Sequence, residues 1–117
     1  MSLKMFAIPN CDTVKKARKW LEDNGMDYDF HDYKKHGVPA EVIAEACEKF
    51  GWEQVLNRKG LTWRRMTDAE KDAVKGEKEA VMLMRDKPSI IKRPLVTQKG
   101  KPILLGFTLE DFEDTLL

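Results

Sequence analysis

Apolar positions along the chain change period several times, and each change marks an element. Leu3 to Ile8 is a short, mostly apolar run, as a buried strand requires. From Thr13 the spacing turns helical. Val14, Ala17 and Leu21 share a face, with Lys15, Lys16, Arg18 and Lys19 off it. Asp12 or Thr13 is the expected N-cap, and Asn24-Gly25 the stop. Asp27 to His31 alternates, with Tyr28 and Phe30 on one side and Asp27, Asp29 and His31 on the polar side. That predicts a half-exposed strand. Strand, helix and strand at these distances suit a parallel βαβ unit.

The middle reads as helical. Val42, Ile43, Ala46, Cys47 and Phe50 form one apolar face that ends at Gly51, and Trp52 to Leu56 forms a further short turn. Asn57-Arg58-Lys59-Gly60 is a loop, and Thr67-Asp68-Ala69-Glu70 is a capping box opening another helix. Gly76 separates that helix from one carrying Ala80, Val81, Leu83 and Met84, which Pro88 prevents from running on. Leu95-Val96-Thr97 and Ile103-Leu104-Leu105 then read as two strands of a hairpin turning through Gln98-Lys99-Gly100-Lys101. Thr108 to Asp111 opens a last helix with Leu109, Phe112 and Leu116 inward. The order is βαβ, a helical insert at about 38–88, then ββα. It predicts one α/β domain over 1–117 with a mixed four-stranded sheet.

Composition narrows the function. Charged residues are 35% of the chain, but the net charge is only +1. No global field draws it to nucleic acid or to an anionic membrane. The Lys15–Lys19 cluster lacks interleaved aromatics and reads as a solvated helix face. No apolar run reaches the ~20 residues of a membrane span, and the N-terminus lacks the features of a signal peptide. Two cysteines far apart are not a disulfide framework, so the expected location is the cytoplasm. His31 and His36 match no zinc spacing. No metal site is expected. His31 reads as a polar-face strand residue, and Lys34-Lys35-His36-Gly37 as a loop.

Cys11 carries the candidate chemistry. It lies between the first strand and the first helix, where unpaired amides and the positive end of the helix dipole favour a thiolate. Asp12, beside it, opposes that charge. Val14 stands where a dithiol site would carry its second cysteine, so the thiol has no local resolving partner. Cys47, on an apolar helix face, reads as structural.

Three segments carry a resemblance: Asn10-Cys11-Asp12-Thr13-Val14-Lys15-Lys16-Ala17-Arg18, Asn57-Arg58-Lys59-Gly60, and Ile91-Lys92-Arg93-Pro94-Leu95-Val96. In these, and in the order of elements, the chain resembles the arsenate reductase family that includes ArsC and the regulator Spx, and within it the YffB-like branch. The resemblance implies a thioredoxin-like fold. It implies that Cys11 is a nucleophile, with Arg93, Arg58, Asn10 and Thr13 around an anionic group, and that Pro94 is cis and faces the thiol. The arsenate-reducing members use a third arginine after the last strand, where this chain has Leu105-Gly106-Phe107. The redox-sensing members use a Cys-x-x-Cys, which Val14 removes. The resemblance therefore implies a thiol oxidoreductase whose Cys11 adduct is cleared by glutathione or a glutaredoxin, with no bound cofactor and with arsenate disfavoured. The alternative it carries is a non-enzymatic regulator that binds RNA polymerase.

Overall fold

The computed structural model describes residues 2–117, and the chain divides into two compact units. The first joins residues up to His36 with Arg93–Leu117, and the second is Gly37–Lys92. The helical insert expected at about 38–88 thus runs a few residues further at its C-terminal side.

The first unit is built on a four-stranded sheet in the order β2-β1-β3-β4. Its strands are β1 (Leu3–Ala7), β2 (Tyr28–Asp32), β3 (Leu95–Gln98) and β4 (Lys101–Leu105). β1 pairs parallel with β2, from Leu3 opposite Tyr28 to Ala7 opposite Asp32. It pairs antiparallel with β3, from Leu3 opposite Gln98 to Phe6 opposite Leu95. β3 and β4 are antiparallel, with an irregularity in register between Val96 and Thr97. Their two-residue turn needs both central residues in the left-handed region, and Lys99 (φ 52°) and Gly100 (φ 80°) supply it. This mixed sheet with its βαβ and ββα halves is the thioredoxin-like arrangement.

Alternation along β1 sorts the side chains. Leu3, Met5 and Ala7 join Val14, Ala17 and Leu21 of α1 (Asp12–Asp23), Val96, Leu104, and Phe112 of α8 (Leu109–Leu116) in one buried core. Trp20 and Phe107 meet the Phe112 ring edge-on, with centroids 5.4 and 4.7 Å away. Each large side chain buried this way contributes about 1.5–3 kcal/mol. Leu109, expected inside, is instead 54% exposed, while Phe112 is fully buried. The reason is position. Thr108 caps α8 by accepting the Asp111 N–H at 3.1 Å, which leaves Leu109 in the first turn, off the core-facing stripe.

One other expectation changes. The stretch after β2 is the short helix α2 (Tyr33–His36) rather than a loop. Asp32 caps it, its Oδ1 accepting the N–H groups of Lys34 at 2.8 Å and Lys35 at 3.4 Å. His31 lies in β2 on the side of exposed Asp29, as expected, and is half-buried. Its ring lies 5.0 Å from Phe6, 6.0 Å from Tyr33 and 5.8 Å from His36. On this side of β2 the half-buried His31 packs against aromatic rings while Asp29 stays exposed.

The second unit contains α3 (Ala40–Phe50), α4 (Trp52–Val55), α5 (Leu61–Arg64), α6 (Asp68–Asp72), α7 (Glu77–Asp86) and a 3₁₀ turn at Pro88–Ile90. α5 is absent from the sequence pattern. The capping box forms as expected, with Glu70 N–H to Thr67 Oγ1 at 3.1 Å and Thr67 N–H to Glu70 Oε1 at 2.8 Å. Ile43, Ala46 and Cys47 of α3 and Ala80 and Met84 of α7 are buried. Backbone bonds from Asn57 N to Ile90 O and from Lys92 N to Val55 O, both 2.8 Å, fasten the segment after α4 to the exit of the unit.

The two α8 positions give a direct stability test. Phe112→Ala should cost about 3–5 kcal/mol by denaturant unfolding. Leu109→Ala should stay within about 0.5 kcal/mol. The reverse order would put Leu109, not Phe112, in the core.

Candidate active site

The pairing of the sheet decides which loops meet. β1 and β2 are parallel, so the residues after Ala7 and after Asp32 leave the same end. β3 and β1 are antiparallel, so the residues before Leu95 arrive at that end, and β4 leaves from it. Cys11, Tyr33, Arg93-Pro94 and Gly106 therefore gather at one edge of the sheet.

Cys11 itself is the N-cap of α1, one residue before the expected cap (φ −150°, ψ 127°). Its N–H donates to Pro9 O at 2.9 Å, and its carbonyl accepts the first helical bond, from Lys15 N–H at 3.0 Å. No amide meets the full geometry of a side-chain cap to the sulfur. The sulfur is half-buried, and that burial is the largest influence on it and opposes ionisation. The Val14 N–H, a hydrogen bond from Arg93, the Arg93 charge and the Thr13 N–H act the other way, and together they prevail. The Cys11 thiol therefore ionises below its ordinary value. Asp12, expected to oppose this, is exposed, and the net direction is downward.

The remaining candidates take different places. Arg93, half-buried, precedes a cis bond to Pro94, as the resemblance implied. Pro94 is buried, and its carbonyl accepts the Gly106 N–H at 2.8 Å. Gly106 has φ 78°, a conformation that favours glycine, so an arginine there would be strained. Phe107 turns to the core against Phe112. The place of the third arginine is thus at the active edge and holds no side-chain donor. Thr13 acts through its backbone N–H, and its side chain and that of Asn10 are exposed. Arg58 belongs to the second unit, where its guanidinium lies 6.0 Å from the Trp52 ring. Cys47 is 3% exposed, and burial, with the Glu77 charge adding, pushes its thiol up to about 11. Among the described residues no cluster of three His, Cys, Asp or Glu side chains could hold a metal ion, and no helix is long and apolar enough to cross a membrane.

One residue at this edge escaped the sequence reading. Tyr33 is 1% exposed and its hydroxyl has no hydrogen-bond partner. Such a group costs about 1–3 kcal/mol. Burial holds the phenol well above its usual range, and the charge of Arg93 acts on it in the opposite sense. The Asp32 cap, readable as a helix start, would have placed Tyr33 at the active edge.

Alkylation by iodoacetamide separates the two thiols. In native protein Cys11 should react first, with a midpoint below the free-thiol pKa of about 8.5. Its rate should fall as pH drops through that midpoint, because the thiolate is lost. Arg93→Ala should move the midpoint up, since it removes both a donor and a charge that favour the thiolate. Cys47 should stay slow until the pH approaches 11. Faster labelling of Cys47 would remove Cys11 as the nucleophile.

Comparison with known proteins agrees with this geometry. Residues 6–115 match the ArsC family. An uncharacterised protein of Haemophilus influenzae is 34% identical over 111 residues, covering 95% of this chain and 96% of its own. The uncharacterised protein YusI of Bacillus subtilis is 31% identical, over 97% and 98%. Among solved structures, a YffB protein superposes with a TM-score of 0.91 at 41% identity, covering 98% and 99% of the two chains. An arsenate reductase related protein from Brucella melitensis superposes at 0.76 with 44% identity, over 97% and 93%. More distantly, the global transcriptional regulator Spx of Streptococcus pyogenes is 21% identical over 92% of this chain. With the match spanning nearly the whole sequence and the cysteine, arginine and cis-proline meeting at one edge of the sheet, the chain belongs to the ArsC family.

Proposed function

We propose that the protein is a glutathione-dependent thiol oxidoreductase with Cys11 as its nucleophile. The observation that supports this most is the hydrogen bond and charge of Arg93 on the Cys11 sulfur. It favours the attacking thiolate and leaves a cation beside it for an anionic ligand. In the first step the Cys11 thiolate attacks the glutathione sulfur of a glutathione mixed disulfide. A new S–S bond forms to Cys11, the old one breaks, and the released thiolate takes a proton from water. In the second step the thiolate of a free glutathione attacks the sulfur on Cys11. Glutathione disulfide leaves, and Cys11 returns as a thiolate. The substrate is released as its free thiol, and the glutathione it carried leaves joined to the one supplied free, as glutathione disulfide. Val14 leaves no local cysteine to clear the adduct, so an external thiol, or a glutaredoxin carrying one, has to do it. In this reading Arg93 holds a glutathione carboxylate, with Asn10 and Thr13 at the helix start, and Pro94 shapes the wall beside the thiol. The reaction belongs to the cytoplasm, where glutathione is kept reduced.

Arsenate fits less well. Its several charged oxygens each need a donor in place of water. Gly106 offers none where the resemblance puts the third arginine. The likeness to Spx supports a second reading, a regulator that binds RNA polymerase and uses Cys11 as a sensor or not at all. Capture of polymerase that survives Cys11→Ser would favour it.

Incubation with glutathione disulfide and with arsenate, separately, tests the proposal by mass spectrometry. One glutathione should appear on Cys11 and none on Cys47, with arsenate reduction weak or absent. Arg93→Ala should slow the glutathione step about tenfold, equivalent to about 1.4 kcal/mol. Arg93→Lys should recover only part of that. An unmodified Cys11, or strong arsenate turnover supported by glutathione and glutaredoxin, would overturn the reading.

A further inference from the structure

We propose that the hydroxyl of Tyr33 is a further donor of the anion site at Arg93, selecting ligands that carry a carboxylate next to the reacting sulfur. This rests on the reading of Cys11 as nucleophile and Arg93 as its cationic partner. Three observations converge on it. Tyr33 follows the last parallel pair, Ala7 with Asp32, and so stands at the end of the sheet from which the Cys11 loop leaves and at which Arg93 arrives. Its ring is fixed among Phe6 and His31, with centroids 6.4 and 6.0 Å away, so the hydroxyl is held in place. That hydroxyl is buried with no partner, and the charge that acts on it is the Arg93 guanidinium.

Nothing in the packing requires an oxygen there. Phenylalanine would fill the same space without a stranded polar group. A donor already out of water gains the full strength of a hydrogen bond when an acceptor arrives, because no hydration is lost first. Beside a guanidinium, the acceptor that gains most is an anion. A carboxylate needs few donors, and a phenol with one arginine can serve it. The Tyr33 hydroxyl is thus a neutral donor at an active edge where Gly106 supplies none.

A pair of alkylating reagents tests this without relying on glutathione. In both, the Cys11 thiolate attacks carbon, a C–S bond forms and iodide leaves. Iodoacetate carries a carboxylate where iodoacetamide carries a neutral amide of the same size. The ratio of their rates at Cys11 therefore reads the anion site alone. Tyr33→Phe should lower the iodoacetate-to-iodoacetamide ratio about fivefold or more. The iodoacetamide rate should be unchanged and the melting temperature equal or higher. Arg93→Ala should lower the ratio too, and slow iodoacetamide as well. An unchanged ratio in Tyr33→Phe would overturn the proposal, and so would an equal loss with both reagents. The glutathione reading fails separately, if glutathione disulfide leaves Cys11 unmodified while the ratio still shifts.

Discussion

A thiolate that has lost part of its water keeps its charge only where fixed donors replace that water. Every feature around Cys11 answers this constraint. Burial works against the charge and is the largest single influence on it. Two helix amides and one guanidinium oppose burial and prevail. None would suffice in an arbitrary place. The amides act on the sulfur because Cys11 is the N-cap, with β-region dihedrals that turn the chain from strand into helix. The guanidinium reaches it because a strand from the far end of the chain is paired to β1 in one particular sense.

That sense matters more than the sheet's composition. A parallel β3 would carry Arg93 to the opposite end, far from the Cys11 loop. The antiparallel ladder from Phe6–Leu95 to Leu3–Gln98 brings the entry of one strand to the exit of the other. The parallel pairing of β1 with β2 delivers Tyr33 to the same place. Short strands with a buried Leu3-Met5-Ala7 face hold that register firmly, since a slip of one residue would turn the core face outward.

Local patterns made much of this legible. The period changes marked the strands and the long helices, and the capping box at Thr67 and the Lys99-Gly100 turn behaved as their chemistry requires. Cys11 and Cys47 differ by setting alone, a helix start against an apolar helix face. The misses share a cause. Asp32 ends a strand and caps a helix at once, so a pattern that assigns one role per residue read α2 as a loop. Leu109 has an apolar side chain at a cap-adjacent position, and position prevailed over hydrophobicity. The Cys11–Arg93 contact was foreseen through family resemblance rather than periodicity. No local signal reports which strands pair, and Tyr33 went unnoticed for the same reason.

The two halves of the sheet are separated along the chain by the whole second unit. Cys11 emerges from the ribosome well before Arg93 has been made. Until β3 closes that long loop onto β1, the sulfur has no guanidinium. Its helix, short and unsupported, forms only marginally in water. A nascent or unfolded chain therefore carries an ordinary thiol, and the more readily ionised one comes into being only with the finished tertiary structure. The ease with which this thiol ionises is thus a property of the closed sheet and not of the segment that carries it.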